Sequence, residues 1–99
     1  MTKKNLEISK SQYVGTIGEK YTGELEVYQM VQKTGWDGEP YMAFKLKDTN
    51  DNKFLAASLE KHFPNIKVGD KVKIKGRVKD HKEFVGVKFT ALNYVKPTQ

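Results

Sequence analysis

Apolar and cationic residues alternate between positions 71 and 79. Val72, Ile74 and, past Gly76, Val78 fall on one side, and Lys71, Lys73, Lys75, Arg77 and Lys79 on the other. A period of two describes a strand with one buried face and one wet face. Gly69-Asp70 supplies the turn that launches it. The same rhythm predicts a first strand over residues 21–33, with Leu25, Val27 and Val31 inward and Glu24, Glu26, Tyr28 and Met30 outward. Gly23 within it is placed for a bulge or a bend. Residues 34–40, which include Gly35, Trp36, Gly38 and Pro40, read as a loop.

A second strand is predicted over 41–47, with Met42, Phe44 and Leu46 inward and Tyr41, Ala43, Lys45 and Lys47 outward. The Asx-rich stretch 48–52 turns it back into a third strand over 53–59, so the two form a hairpin. The third strand has two dissimilar faces. Leu55, Ala57 and Leu59 are the more apolar set and are assigned to the core, which turns Phe54 outward. Residues 60–66 form the one predicted helix, ended by Pro64 and docked through Phe63. A fifth strand follows over 85–94, reached through a loop at 80–86. The expected core is Leu25, Val27, Met42, Phe44, Leu46, Val72, Ile74, Val78, Val87 and Leu92. Three strands, a helical connector and two strands give an all-β chain laid out as a five-stranded OB-fold Greek-key barrel. The domain covers 13–95, between a flexible arm at 1–12 and a flexible tail at 96–99.

Charge narrows the class of partner. The chain of 99 residues carries 18 Lys/Arg against 12 Asp/Glu, a formal charge of +6. Such an excess favours polyanions, nucleic acid ahead of anionic membrane. Arg77 is the single arginine, so backbone attraction is expected rather than forked, base-specific contacts. The absence of cysteine excludes disulfides, thiolate catalysis and cysteine-based zinc sites. No apolar run approaches the roughly 20 residues of a membrane span, and residues 1–10 lack the apolar stretch of a signal peptide. An intracellular, cytoplasmic protein without membrane association is expected.

Residues 13–20 (YVGTIGEK), the hairpin turn 47–52 (KDTNDN) and the run 68–93 (VGDKVKIKGRVKDHKEFVGVKFTALN) together resemble an OB-like module of replication and single-strand-binding proteins from phages and mobile elements. Gly76 to Phe84 with Gly86-Val87-Lys88 carries the resemblance most specifically. Phe89 stands where such modules have a polar residue, and Tyr94 where they have a cation. The resemblance implies nucleic-acid binding in replication or recombination.

Gripping a single strand takes cations along a groove and flat rings for unstacked bases. Lys33, Lys45, Lys47, Lys73, Lys75, Arg77, Lys79, Lys82 and Lys88 are the candidate cations, and Trp36, Tyr41, Phe54 and Phe84 the candidate rings. Each ring has a plainer alternative. Trp36 is also placed to fold over the end of the barrel as a lid, Tyr41 to pair with Phe54 on the surface, and Phe84 to plug the barrel end. Tyr28 is a weaker candidate on the outer face of the first strand.

No chemistry is expected. His62 and His81 are the only histidines, no Gly-Lys-Ser/Thr phosphate loop exists, and the 48–52 turn lacks the twelfth-position Glu of a calcium loop. The expectation is a non-enzyme without cofactor that binds single-stranded DNA with little sequence preference. Two alternatives stand beside it: a protein-interaction module that modulates a partner enzyme or a replication or host protein, and an RNA-binding protein. Tyr28 and Met30, both outward, would let the first strand pair with a second copy, so an oligomer is compatible with this reading.

Overall fold

The alternating stretches do fold as strands, several of them longer than the alternation marks. A computed structural model of the chain describes residues 10–98. The strands are β1 (Lys20–Thr34), β2 (Pro40–Lys47), β3 (Lys53–Ala57), β4 (Lys71–Phe84) and β5 (Val87–Pro97). They close into a ring in the order β1-β2-β3-β5-β4, with β4 returning to β1. Every neighbouring pair is antiparallel except β3–β5, a short parallel ladder from Lys53 opposite Phe89 to Leu55 opposite Ala91. Leu25, Val27, Phe44, Leu46, Phe54, Val72, Ile74, Val78, Leu92 and Val95 fill the interior. Among the described residues, no helix is long and apolar enough to cross a membrane.

Two faces differ from expectation, each for a local reason. The first is in β1. Its register against β2 slips between Val27 and Gln29, so Tyr28 is an extra residue. A bulge of this kind reverses parity beyond it. Odd residues therefore point inward before the bulge, and even ones after it. Met30, opposite Phe44, packs against the core, and Val31, opposite Ala43, lies on the outer face. Gly23 is not at a bulge: it stands in regular register opposite Ile74. A Cβ there would collide with the Tyr21 ring, so the glycine leaves room for that ring, whose centroid lies 5.0 Å from that of Phe54.

The second difference is in β3. Phe54 and Ala56 face the interior, opposite Leu46 and Phe44, while Leu55 pairs with Lys45 on the outer face. Phe54 is 0% exposed. Its expected outward placement, and with it a stacking role, is overturned. Leu59 misleads the count because it lies past the strand end. Ser58 adopts φ 61°, and a 3-10 turn at Leu59–Lys61 carries Leu59 into the core independently of strand parity. Ala57, assigned to the core with it, is exposed.

That 3-10 turn is all that forms of the helix expected at 60–66. Pro64 offers no N–H and keeps Phe63 away from helical geometry, and a single turn cannot repay the cost of nucleation. Phe63 still packs against the core, as expected.

Residues 11–14 and Thr98 bond to or stack on the ring. Residues 1–9 of the expected arm, and Gln99 of the tail, lie outside the described residues. Ser11 is buried; its Oγ donates to Lys88 O (2.6 Å) and accepts from Lys53 N (2.8 Å), bridging the starts of β3 and β5. Val14 N donates to Thr90 Oγ1, and the Tyr13 ring stacks on His81 with centroids 4.3 Å apart. At the other end β5 runs on through Pro97, and Thr98 N donates to Lys73 O.

The loop expected at 80–86 is a two-residue reversal. β4 continues to Phe84, and Val85 (φ 51°) and Gly86 (φ 78°) form the turn. Positive φ at both central residues is the type I′ signature, which favours Asn-Gly. Val87, expected in the core, lies at this tip and is only half-buried. A β-branched residue in the left-handed region costs about 1 kcal/mol. Val85→Asn is therefore expected to raise stability by about that amount, read as a higher urea midpoint.

Candidate nucleic-acid interface

On the outside of the ring, β1, β2, β3 and β5 present a shallow groove of about 200 Å³. Strand pairing explains its lining. Lys33 lies opposite Tyr41, Val31 opposite Ala43, Ala43 opposite Ala57, Lys45 opposite Leu55, and Leu55 opposite Ala91. Ala43, Ala56, Ala57 and Ala91 and the larger Val31, Phe44, Leu55 and Leu92 make its apolar lining, with Tyr41, Lys33 and Lys45 beside them. Lys79 and Lys82 of β4 close the far side. The β4–β5 ladder slips between Val78 and Asp80, which leaves Lys79 as the extra residue. The slip lets β4 bend from the core toward the groove.

The groove continues upward over Phe89. This ring lies outside the core cluster, opposite Lys53 and Lys82. It is buried under its neighbours, with Lys45 Nζ 5.6 Å from its centroid and the Phe84 ring 5.7 Å away. Phe84 is 52% exposed, and Val85 beside it is fully exposed. Phe84 therefore lies on the outer face of the hairpin rather than plugging the end of the ring. Phe89 and Val31 are outer-face residues that strand parity alone assigns badly. The bulge in β1 conceals Val31, and only the pairing with Lys82 reveals Phe89.

Trp36 occupies the β1–β2 tip. Gly35 N donates to Glu39 O, Gly38 N to Gly35 O, and Glu39 N to Asp37 Oδ1, so the turn is internally bonded. The indole is 100% exposed. The lid alternative is thereby removed: this ring covers none of the described residues.

The remaining candidates go elsewhere. Lys47 extends the outer face of β2, opposite Glu26 and Lys53. Lys53 itself is committed: its Nζ lies 2.8 Å from Asp51 Oδ1 and 5.6 Å from the Tyr28 centroid. That hydrogen bond lowers the Asp51 pKa, while burial, with Asp51 adding to it, raises that of Tyr28. Lys88 leaves the groove side and lies over Tyr13, with Nζ 5.5 Å from the ring centroid. Lys73, Lys75 and Arg77 point outward from the part of β4 that pairs with β1. Their surroundings differ along the strand. Lys71 faces Glu26 and Lys73 faces Glu24, whereas Lys75 faces Thr22 and Arg77 faces Lys20. None of the candidate cations takes part in an ion pair among the described residues.

The polar residues that invite a catalytic reading are occupied structurally. Asp80 Oδ1 accepts from the backbone N of His81, while the His81 ring stacks on Tyr13 with Nε2 3.1 Å from Gly15 O. Asp48 accepts from Asn50 N, Asn52 N and Asn52 Nδ2, which builds the β2–β3 turn. No family model, curated protein or solved structure matches the chain.

Proposed function

We propose that this chain is an OB-type barrel that binds single-stranded DNA with little sequence preference, serves phage or mobile-element replication or recombination inside the bacterial cytoplasm, and carries out no reaction of its own. One observation carries the reading. Tyr41, Lys33, Lys45, Lys79 and Lys82 line a single groove with an apolar lining that includes Ala43, Ala57 and Ala91. A base laid against Tyr41 would meet an apolar surface beneath it, and the phosphates on either side would meet lysines. Trp36 and Phe84 extend the same arrangement to the two hairpin tips. Lysine point charges attract a backbone without selecting bases.

The test is titration with oligo-dT at several salt concentrations, following Trp36 emission together with the anisotropy of a labelled strand. Four lysines on phosphates predict a slope of about −2.8 in log K against log salt, at roughly 0.7 per phosphate. Tight binding at low salt with that slope is the expected result. No change in either signal at low salt discards the reading. Competition between matched RNA and DNA strands assigns the sugar preference.

A protein-docking role is the second reading, favoured by the exposed Phe84 and Val85 side by side on one hairpin tip. Exposed aromatic anchors serve protein interfaces equally well. Under that reading oligonucleotide binding stays weak, while a protein partner is retained and is lost on Phe84→Ala.

A further inference from the structure

We infer a second contact surface for the same strand, on the face formed by β1, β4 and β5. The inference rests on the single-strand reading above. A cup of about 470 Å³ is lined there by Lys20, Tyr21, Lys75, Arg77, Tyr94 and Lys96, together with Thr22 and Gly76. Among the described residues, no acidic one lines it.

Three features mark the cup as built for an anionic, base-bearing ligand. The first is charge opposed to charge. Lys20 lies directly opposite Arg77, and Lys75 directly opposite Lys96. Like charges across a ladder destabilise a sheet. Farther down the same strand, Lys73 and Lys71 face Glu24 and Glu26. Compensation therefore stops where the cup begins, and a bound anion would supply what is missing.

The second feature is Tyr94. The β4–β5 register slips again between Lys75 and Arg77, and at this slip Tyr94 takes φ 53° and is 75% exposed. Bulges re-aim side chains, and an aromatic residue in the left-handed region is held there against its preference. Here the result is a flat ring displayed among four cations.

The third feature is continuity. Lys82, Lys79, Arg77 and Lys75 follow one another along β4 on its outer side. Lys82 and Lys75 are about 23 Å apart at ~3.3 Å per residue. A stacked strand covers that span in roughly seven nucleotides at ~3.4 Å each. The cation row thus connects the groove to the cup, and a strand leaving the groove past Lys82 would run down β4 and set a base on Tyr94. Arg77 is pre-positioned by its Nη1, which donates to Gly18 O at 2.6 Å.

The experiment compares oligo-dT of six and of twenty nucleotides on the full chain and on two variants, Tyr94→Asn and the double variant K75E/K96E. Asparagine tolerates positive φ, and K75E/K96E exchanges one exposed like-charged pair for another beside the cations Lys20 and Arg77, so both variants should fold, which circular dichroism checks. The expected result is unchanged affinity for the six-mer and roughly tenfold weaker binding of the twenty-mer by Tyr94→Asn. K75E/K96E should flatten the twenty-mer salt slope by about 1.4, at roughly 0.7 per phosphate. Unaltered twenty-mer binding by both variants overturns the second surface, whatever the groove does. Equal weakening of six-mer and twenty-mer also overturns it, since the cup would then be part of one primary site. Failure of the function itself looks different: neither oligonucleotide would bind the unmodified chain.

Discussion

Phe54→Ala is expected to lower stability by about 3–5 kcal/mol, the usual cost of emptying a buried phenylalanine site. Leu55→Ala, one residue away, is expected to cost about 1 kcal/mol, because Leu55 is only half-buried on the outer face. The contrast follows from packing. Phe54 has no exposed surface, lies opposite Leu46 and touches the Tyr21 ring. Its removal leaves a void beside Leu46 and the Tyr21 ring, in a core held by closed hydrogen-bond ladders that limit collapse into the space. For a domain this size, with total stability of about 5–15 kcal/mol, the loss is a large fraction of what holds it folded. Urea denaturation followed by far-UV circular dichroism is the suitable measurement, since Trp36 is fully exposed when folded and reports little on unfolding. Equal losses for the two variants would contradict the register of β3.

The second large effect concerns binding. Under the proposed function, Tyr41→Ala is expected to weaken oligo-dT binding by about 5- to 150-fold, the equivalent of ~1–3 kcal/mol of stacking. The pair Lys45→Ala and Lys82→Ala removes two phosphate contacts and should flatten the salt slope by about 1.4. Stability should change by less than about 1 kcal/mol, chiefly the loss of the Lys45 cation over Phe89. Anisotropy of a labelled strand across a salt series separates the two contributions, because ring removal lowers affinity at all salt concentrations and lysine removal changes the slope. Binding indifferent to all three substitutions would move the contact away from this groove.

Alternation made most of the ring legible. Val72, Ile74 and Val78 against the lysines of β4, and Phe44 and Leu46 against Lys45 and Lys47 of β2, are in the core and on the surface as their spacing requires. What stayed hidden was set by single irregularities. The extra residue at Tyr28 exchanged the faces of Met30 and Val31, and the left-handed Ser58 lent β3 an apolar count that belonged to the following turn. Neither leaves a mark in hydrophobicity, because a bulge or a positive φ is decided by pairing with strands distant in sequence. The same holds for the candidate site. Composition announced lysines and rings, but only the closure of the ring shows that Lys79 and Lys82 meet Tyr41 while Lys75 and Arg77 gather instead around Tyr94.

The Ser11 hydroxyl that joins Lys53 to Lys88 has a consequence for the time course of folding. Its two partners are 42 and 77 residues away along the chain, and the parallel ladder beside them joins residues 36 apart. Contacts of such separation close late, since the entropy of ordering the intervening chain must be met first. Without that closure β3 and β5 would each keep an unpaired edge, open to pairing with another chain. In the folded chain the Ser11 hydroxyl spans that seam and holds both edges together.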